Sequence, residues 1–359
     1  MEHDVLHKKY MKRCIDLARL GCGSTAPNPM VGSVIVCGDR IIGEGFHRKA
    51  GLAHAEVNAI GSVKDKDLLA KSILYVNLEP CAHTGKTPPC SDLIIHCRIP
   101  SVVIGTMDPH EVVGGKSIAR LHQAGIAVTT GICRDSCIDL NKRFFTYHLL
   151  KRPYIILKWA QSADGFIDVL REKSDPARPN WISNELSRKL VHKWRTEEQA
   201  IMVGTHTALL DNPRLNAREW PGKNPLRIVL DRTLRLPANL HLFDQQIATL
   251  IINEIRDETV GLCRYRIIPF TRNLLPSVMN LLHEQGIQSL MVEGGKKLLE
   301  SFITSGLWDE ARIFTGQKPF GSGIKAPEIE DQVKQQTWIE NDLLTVQYKP
   351  NNLESLLKG

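Results

Sequence analysis

The chain has 359 residues, with 42% hydrophobic residues, 6% aromatics and 24% charged residues. That length holds two domains that each bury a core, and the composition excludes a disordered, collagen-like or coiled-coil chain. The net charge of +7 is spread without the like-charge run of a nucleic-acid tail, so it favours a small anionic ligand.

Apolar positions Val5, Leu6, Met11, Ile15, Leu17 and Ala18 predict an amphipathic helix over residues 5–20, with Asp4 as its N-cap and Gly21 as its C-cap. Two apolar, β-branched runs, 31–37 and 41–46, flank Gly38-Asp39-Arg40 and predict a hairpin. There follow a helix over 54–61, a strand over 73–78, a helix after Cys90, a strand over 102–105, a helix over 116–124 and a strand over 126–128. This alternation predicts an α/β layered domain with a mostly parallel later sheet, complete by about residue 130.

Residues 135–152 are richer in charge and end at Lys151-Arg152-Pro153, which places a domain boundary near residue 150. Beyond it, strands over 154–159, 200–203, 226–230, 249–252, 289–292 and 311–315 alternate with helices over 185–195, 274–285 and 296–305. A second α/β domain follows, and neither half contains a repeat or a low-complexity tract. No apolar stretch reaches the roughly 18 residues that cross a bilayer, and the start Met1-Glu2-His3-Asp4 has no signal-peptide pattern. Nine irregularly spaced cysteines suit a reducing compartment. A cytoplasmic protein without a membrane partner is expected.

The strongest chemical signal lies in the first half. His54-Ala55-Glu56 is followed by Pro80-Cys81 and, after eight intervening residues, by Cys90. One imidazole and two thiolates are three ligands, the number that leaves a zinc ion one open position for water. Cys90 opens a helix, where the helix N-terminus favours a thiolate. Glu56, two residues from His54, is the proton carrier: it takes a proton from a water polarised by the metal and returns it to a leaving amine. The order resembles the His-x-Glu, Pro-Cys-x-x-Cys signature of zinc nucleobase deaminases, with eight residues in place of two. Taken singly, His54 would be a helix-start histidine, Cys81 and Cys90 core thiols and Glu56 a capping carboxylate. A closed structural site would need His83 as a fourth ligand.

The run from Pro80 to Cys90, with His54-Ala55-Glu56 and Asn28-Pro29-Met30-Val31-Gly32, resembles the bifunctional riboflavin-biosynthesis deaminase/reductase family. In the second half, Lys158-Trp159-Ala160-Gln161-Ser162-Ala163-Asp164-Gly165, Trp181-Ile182-Ser183, Val203-Gly204-Thr205-His206-Thr207, Asp211-Asn212-Pro213 and Glu293-Gly294-Gly295 look like that family's reductase motifs. The resemblance implies a cytidine-deaminase-like α/β/α layered domain over residues 1–150 and a dihydrofolate-reductase-like α/β domain over 151–350. It implies Zn2+ and NADPH as cofactors and a pyrimidine carrying ribose 5-phosphate as substrate: 2,5-diamino-6-(5-phosphoribosylamino)pyrimidin-4(3H)-one is deaminated, then its ribose is reduced to ribityl. It further implies a homo-oligomer assembled through the reductase domain.

By the same resemblance, Asn28 and His47 hold the pyrimidine, Lys86 meets the phosphate or ribose, and Asp108 faces the ligand. An amide matches donor and acceptor edges of a heterocycle, and a lysine is a compact charge for phosphate. Asp108-Pro109-His110 stands where the family reads Asp-Pro-Asn, so His110 departs from the pattern. In the reductase half, Ala160, Trp181, Thr207, Gly294 and Gly295 line the NADPH site, and Arg195, Asp211, Leu215, Arg218 and Glu293 line the substrate site. Asp211 is the residue for orientation or proton supply.

No Gly-x-Gly-x-x-Gly follows a strand, so the dinucleotide does not bind by the Rossmann fingerprint. The Gly294-Gly295 turn before a helix would let a phosphate approach backbone amides, or is simply a tight strand-to-helix turn. Between Asp168 and Trp181 the chain has a longer stretch than the family's glycine- and serine-bearing one, so the substrate contact expected just before Trp181 is left unassigned. Two other readings remain. One is a zinc-dependent nucleic-acid base deaminase with an accessory nucleotide-binding domain, opposed by the lack of a basic stripe; the other is a non-catalytic protein with a structural zinc.

Overall fold

In the first half, successive residues of the strands face opposite cores, the period of two expected of a sheet covered on both sides. The computed structural model describes residues 2–82, 88–110, 114–171, 180–330 and 333–350. The chain divides into two compact units, Met1–Leu150 and Lys151–Gly359.

The first unit runs α1 (Glu2–Arg19), β1 (Gly32–Cys37), β2 (Arg40–Phe46), α2 (Ala55–Ser62), β3 (Ser72–Leu78), α3 (Cys90–His96), β4 (Ser101–Thr106), α4 (Lys116–Gln123), β5 (Ala127–Thr130), α5 (Arg134–Leu140) and α6 (Lys142–Leu150). Its sheet has the order β2-β1-β3-β4-β5. The β1–β2 hairpin and the β1–β3 pair are antiparallel, and β3, β4 and β5 are parallel. Ile35, Leu74, Val76, Val102 and Ile104 pack against Ala59 of α2, Ile94 of α3 and Leu121 of α4. Val34, Val36, Tyr75 and Val103 pack on the other face against Met11, Cys14 and Ile15 of α1 and Cys137 and Leu140 of α5. This is an α/β/α layered fold.

Two local expectations are corrected. Asp4 lies inside α1 and pairs with Lys8 one turn on, so it is no N-cap. Gly21 is no left-handed cap either; it is small because an added Cβ would stand 2.7 Å from the His47 carbonyl oxygen. The stretch read only as charged, 134–150, forms α5 and α6 and buries Cys137, Phe144 and Phe145.

The second unit runs β6 (Tyr154–Gln161), β7 (Phe166–Asp168), α7 (Glu185–Glu197), β8 (Ala200–Gly204), α8 (Thr205–Asp211), β9 (Leu226–Leu230), β10 (Thr249–Asn253), β11 (Glu258–Val260), β12 (Cys263–Ile267), α9 (Leu274–Glu284), β13 (Ser289–Val292), α10 (Lys296–Thr304), β14 (Glu310–Thr315), β15 (Ile324–Lys325), β16 (Val333–Ile339) and β17 (Asp342–Tyr348). Among the described residues the large sheet has the order β11-β12-β10-β9-β8-β13-β6-β14-β17-β16, and β7 pairs with β15. Ile155, Leu157, Ile228 and Leu250 face α9 and α10 through Val278, Leu282 and Phe302. Tyr154, Ile156, Ile201 and Val203 face α7 and α8 through Val191, Trp194 and Ala208. Among the described residues no helix is long and apolar enough to cross a membrane.

Candidate zinc centre and reductase cavity

Two glycines place the first site. A Cβ on Gly45 would stand 2.3 Å from the Ala59 amide nitrogen, and one on Gly43 2.6 Å from the Ala59 carbonyl oxygen. Helix α2 therefore rests directly on β2, and the Asn58 amide fastens it by donating to the Phe46 carbonyl at 2.9 Å. His54 at the N-cap and Glu56 in the first turn are carried into the sheet's end. Cys81 comes just after β3 and Cys90 opens α3.

His54 Nδ1 lies 3.5 Å from Cys81 Sγ and 3.3 Å from Cys90 Sγ. All three ligand atoms fall within 4.8 Å of one another. Zinc–thiolate and zinc–imidazole bonds of about 2.3 and 2.1 Å bring such donors onto one tetrahedral ion. The Cys90 amide donates to Cys81 Sγ at 3.3 Å. Cys81 is held down at about 4, chiefly by the hydrogen bond from the Cys90 thiol and then by His54, against its burial. The Cys90 thiol, as donor, is pushed up. His54 is raised, first by its bond to Cys81. Two thiols sharing one proton beside an imidazole are a donor set that fits a divalent cation. Glu56 is 3% exposed; burial, with the charge at Cys81 added, pushes its carboxyl up, as suits a group that must take and return a proton.

Asn28 Nδ2 lies 3.1 Å from His47 Nε2, and His47 Nδ1 3.1 Å from the Ala53 carbonyl. A carbonyl can only accept, so Nδ1 carries the proton and Nε2 accepts from Asn28. Burial pushes His47 down, which keeps it neutral. Its ring meets that of His54 edge-on at 5.5 Å. Burial raises Asp108 to about 6, with the Glu79 and Cys81 charges adding to it. The structure thus gathers Asn28, His47, His54 and Glu56, while Lys86 and His83 lie outside the described residues.

Sequence reasoning missed the supports. Glu79, 4% exposed, accepts from the backbone amides of Asp108, Gly115 and Ser117 and from the Ser117 hydroxyl, at 2.8 to 3.3 Å. Asn77 and Asn141 both donate to the Met30 carbonyl, at 3.1 and 2.9 Å, and pin the loop that carries Asn28. The His110 ring packs on His148 at 4.8 Å.

In the second unit a cavity of about 430 Å³ is lined by Trp181, Arg195, Thr207, Asp211, Leu215, Arg218 and Glu293, among others. Arg195 grips Glu293 with both arms, at 2.9 and 2.7 Å, and Lys158 Nζ lies 3.9 Å from the same carboxylate. Burial pushes Glu293 up, but the charges of Arg195 and Lys158 outweigh it and hold the carboxyl at about 2. Arg188 stacks over Trp181 at 4.9 Å. Gly294 has φ +146°, and a Cβ there would stand 2.9 Å from Thr207 Cγ2; one on Gly295, at φ +57°, would stand 3.0 Å from Thr207 Oγ1. The turn therefore lies against Thr207, leaving backbone amides at the start of α10, a cradle that fits a dinucleotide phosphate. Ala160, near the end of β6, packs on the core and is outside the set of described residues lining this cavity.

The family model for the cytidine and deoxycytidylate deaminase zinc-binding region matches residues 4–106, and that for the RibD C-terminal domain matches 153–354. A riboflavin biosynthesis protein RibD from Aquifex aeolicus is 39% identical over 330 residues, 90% of each chain. The chain belongs to the RibD family. RibD from Escherichia coli is 35% identical, covering 88% of this chain and 89% of its own. The solved diaminohydroxyphosphoribosylaminopyrimidine deaminase/5-amino-6-(5-phosphoribosylamino)uracil reductase of Thermotoga maritima superposes with a TM-score of 0.86 at 35% identity, covering 96% of this chain and 99% of that one. As a RibD-family member the chain is a bifunctional riboflavin-biosynthesis enzyme, a zinc deaminase and an NADPH-dependent reductase, with the cytidine-deaminase-like and dihydrofolate-reductase-like folds.

Within this RibD reductase unit, Lys158, Arg188 and His192 are among the cavity residues that escaped the sequence reading. Lys158 sat in a quoted motif, but nothing local marks a buried lysine whose partner is Glu293. His192 is held neutral at about 4 by burial, with the Arg195 and Arg218 charges assisting.

Proposed function

We propose that the first unit deaminates 2,5-diamino-6-(5-phosphoribosylamino)pyrimidin-4(3H)-one and that the second reduces the ribose of the product to ribityl. The observation that carries this reading is the convergence of His54, Cys81 and Cys90 donors within 4.8 Å beside the buried carboxyl of Glu56. Zinc held by those three side chains supplies a polarised water. Glu56 takes a proton from that water and delivers it to the departing amine. Asn28 and His47 present an amide and a neutral imidazole to the pyrimidine, Asp108 faces its amino groups and Lys86 meets the phosphate.

In the second unit NADPH supplies hydride. The Gly294-Gly295 turn, Thr207, Trp181 and Ala160 hold it, while Arg195, Leu215, Arg218 and Glu293 receive the phosphorylated pyrimidine and Asp211 orients it. Guanidinium groups suit a phosphate because their fork matches two of its oxygens. The partner is this small molecule, with neither nucleic acid nor membrane, in a cytoplasmic enzyme whose copies associate through the second unit. The nine cysteines, which form no disulfide among the described residues, suit a reducing compartment.

The test mixes zinc-loaded protein with the diaminopyrimidinone ribose 5-phosphate. Ammonia release without NADPH, then NADPH oxidation once it is added, is expected. Ammonia without NADPH consumption would refute the reductase assignment, and neither signal would refute both.

A further inference from the structure

Arg171 stands in the stretch between Asp168 and Trp181 that departs from the family pattern. Its Nη2 lies 2.9 Å from Asp168 Oδ2 and 3.0 Å from Asp211 Oδ1, and its Nη1 donates to the Leu210 carbonyl at 3.1 Å. One guanidinium therefore ties the end of β7 to the last turn of α8, with only 11% of its side chain exposed. Asp211 lines the cavity, whereas Arg171 is outside the set of described residues that do. We propose that Arg171 is a positioning residue of the reductase, fixing the Asp211 carboxylate towards the substrate. This rests on the reading of Asp211 as a substrate contact.

The charges around Asp211 explain why a fixed cation is needed. Burial is the largest influence and leaves the Asp211 carboxyl raised, with the Asp168 charge adding to it, while Arg171 and, less, His206 favour the ionised carboxylate. Without Arg171, the carboxylates of Asp168 and Asp211 would face each other as like charges, and Asp211 would hold a proton at higher pH. The planar fork also matters, because it bonds two carboxylates and a carbonyl at once, which a lysine ammonium on its flexible stem matches poorly. Arg171 would thus serve the site through Asp211.

The experiment follows NADPH oxidation by the full-length enzyme against pH, with the deaminated pyrimidine varied and NADPH saturating. It compares the wild type with Arg171→Met, Arg171→Lys and Asp211→Asn. For Arg171→Met the acidic limb of kcat/KM is expected to move up by about one pH unit, the effect of removing an opposite charge in contact with a carboxylate. Arg171→Lys is expected to fall between it and wild type, and Asp211→Asn to lose the limb along with most of the activity. Ammonia release by the first unit stays at the wild-type rate in all three.

A limb at the wild-type pH in Arg171→Met, with the rate lowered equally everywhere, would show a merely structural role and overturn the proposal. If Arg171→Met does not fold, Arg171→Lys decides, and a lysine variant indistinguishable from wild type overturns it. Full activity in Asp211→Asn would instead refute the reading of Asp211 itself.

Discussion

Glu293→Gln tests the electrostatic frame of the reductase cavity. The substitution keeps shape and one acceptor but removes the charge between Arg195 and Lys158, and the three side chains are only 12%, 15% and 10% exposed for Arg195, Lys158 and Glu293. The Glu293 carboxyl sits at about 2 when folded, against an ordinary 4.5. At 1.36 kcal/mol per pH unit that difference contributes about 3 kcal/mol to stability. Because the folded value is the lower one, this contribution is fully present above about pH 4.5 and is lost as pH falls towards about 2. All six tryptophans lie beyond residue 150, so tryptophan fluorescence during urea unfolding reports on the second unit alone. At neutral pH the variant is expected to be less stable by about 3 kcal/mol, lowering the thermal midpoint by roughly 10 °C for a unit of this size. On acidification the wild type should lose this advantage, so that the two stability curves converge. Parallel curves between about pH 5 and pH 2.5 would refute the ion pair as the source of the low value.

Other outcomes are equally definite. Glu56→Gln should lower ammonia release by about 10³-fold, about 4 kcal/mol in the barrier, while bound zinc and NADPH oxidation of supplied deaminated substrate stay unchanged; more than a tenth of the activity surviving would remove Glu56 from the proton path. Gly45→Ala should displace α2, since its Cβ would stand 2.3 Å from the Ala59 nitrogen; zinc content by elemental analysis should then fall well below one per chain. Removing zinc with a chelator should abolish ammonia release and leave NADPH oxidation intact, and a parallel loss of both would contradict metal chemistry confined to the first unit.

The zinc donors were legible in the sequence because metal chemistry restricts the residue types, whatever the fold around them. His54 and Cys90 are 36 residues apart, yet each comes at the end of an element that apolar periodicity already marked. Their supports were not legible. Glu79 falls between the strand over 73–78 and the run that starts at Pro80, and its backbone donors come from Asp108, Gly115 and Ser117, which only the closed sheet brings together. Periodicity likewise failed at β16, an edge strand whose Lys334, Gln335, Gln336 and Trp338 are exposed. A strand with little to bury leaves little pattern to read.

The reductase cavity carries the same lesson further. Arg195 and Glu293 are 98 residues apart, and either alone could pass for a solvated helix-end or turn residue. What makes them a site is that β13 lies beside β8 in the sheet, which brings the turn after β13 to the start of α8 and to the inner face of α7. The pairing then sets the charges: Arg195 and Lys158 keep Glu293 ionised, and Glu293 opposes the burial that pushes Lys158 down. Topology, more than local sequence, therefore decides which charges the reductase presents to its substrate.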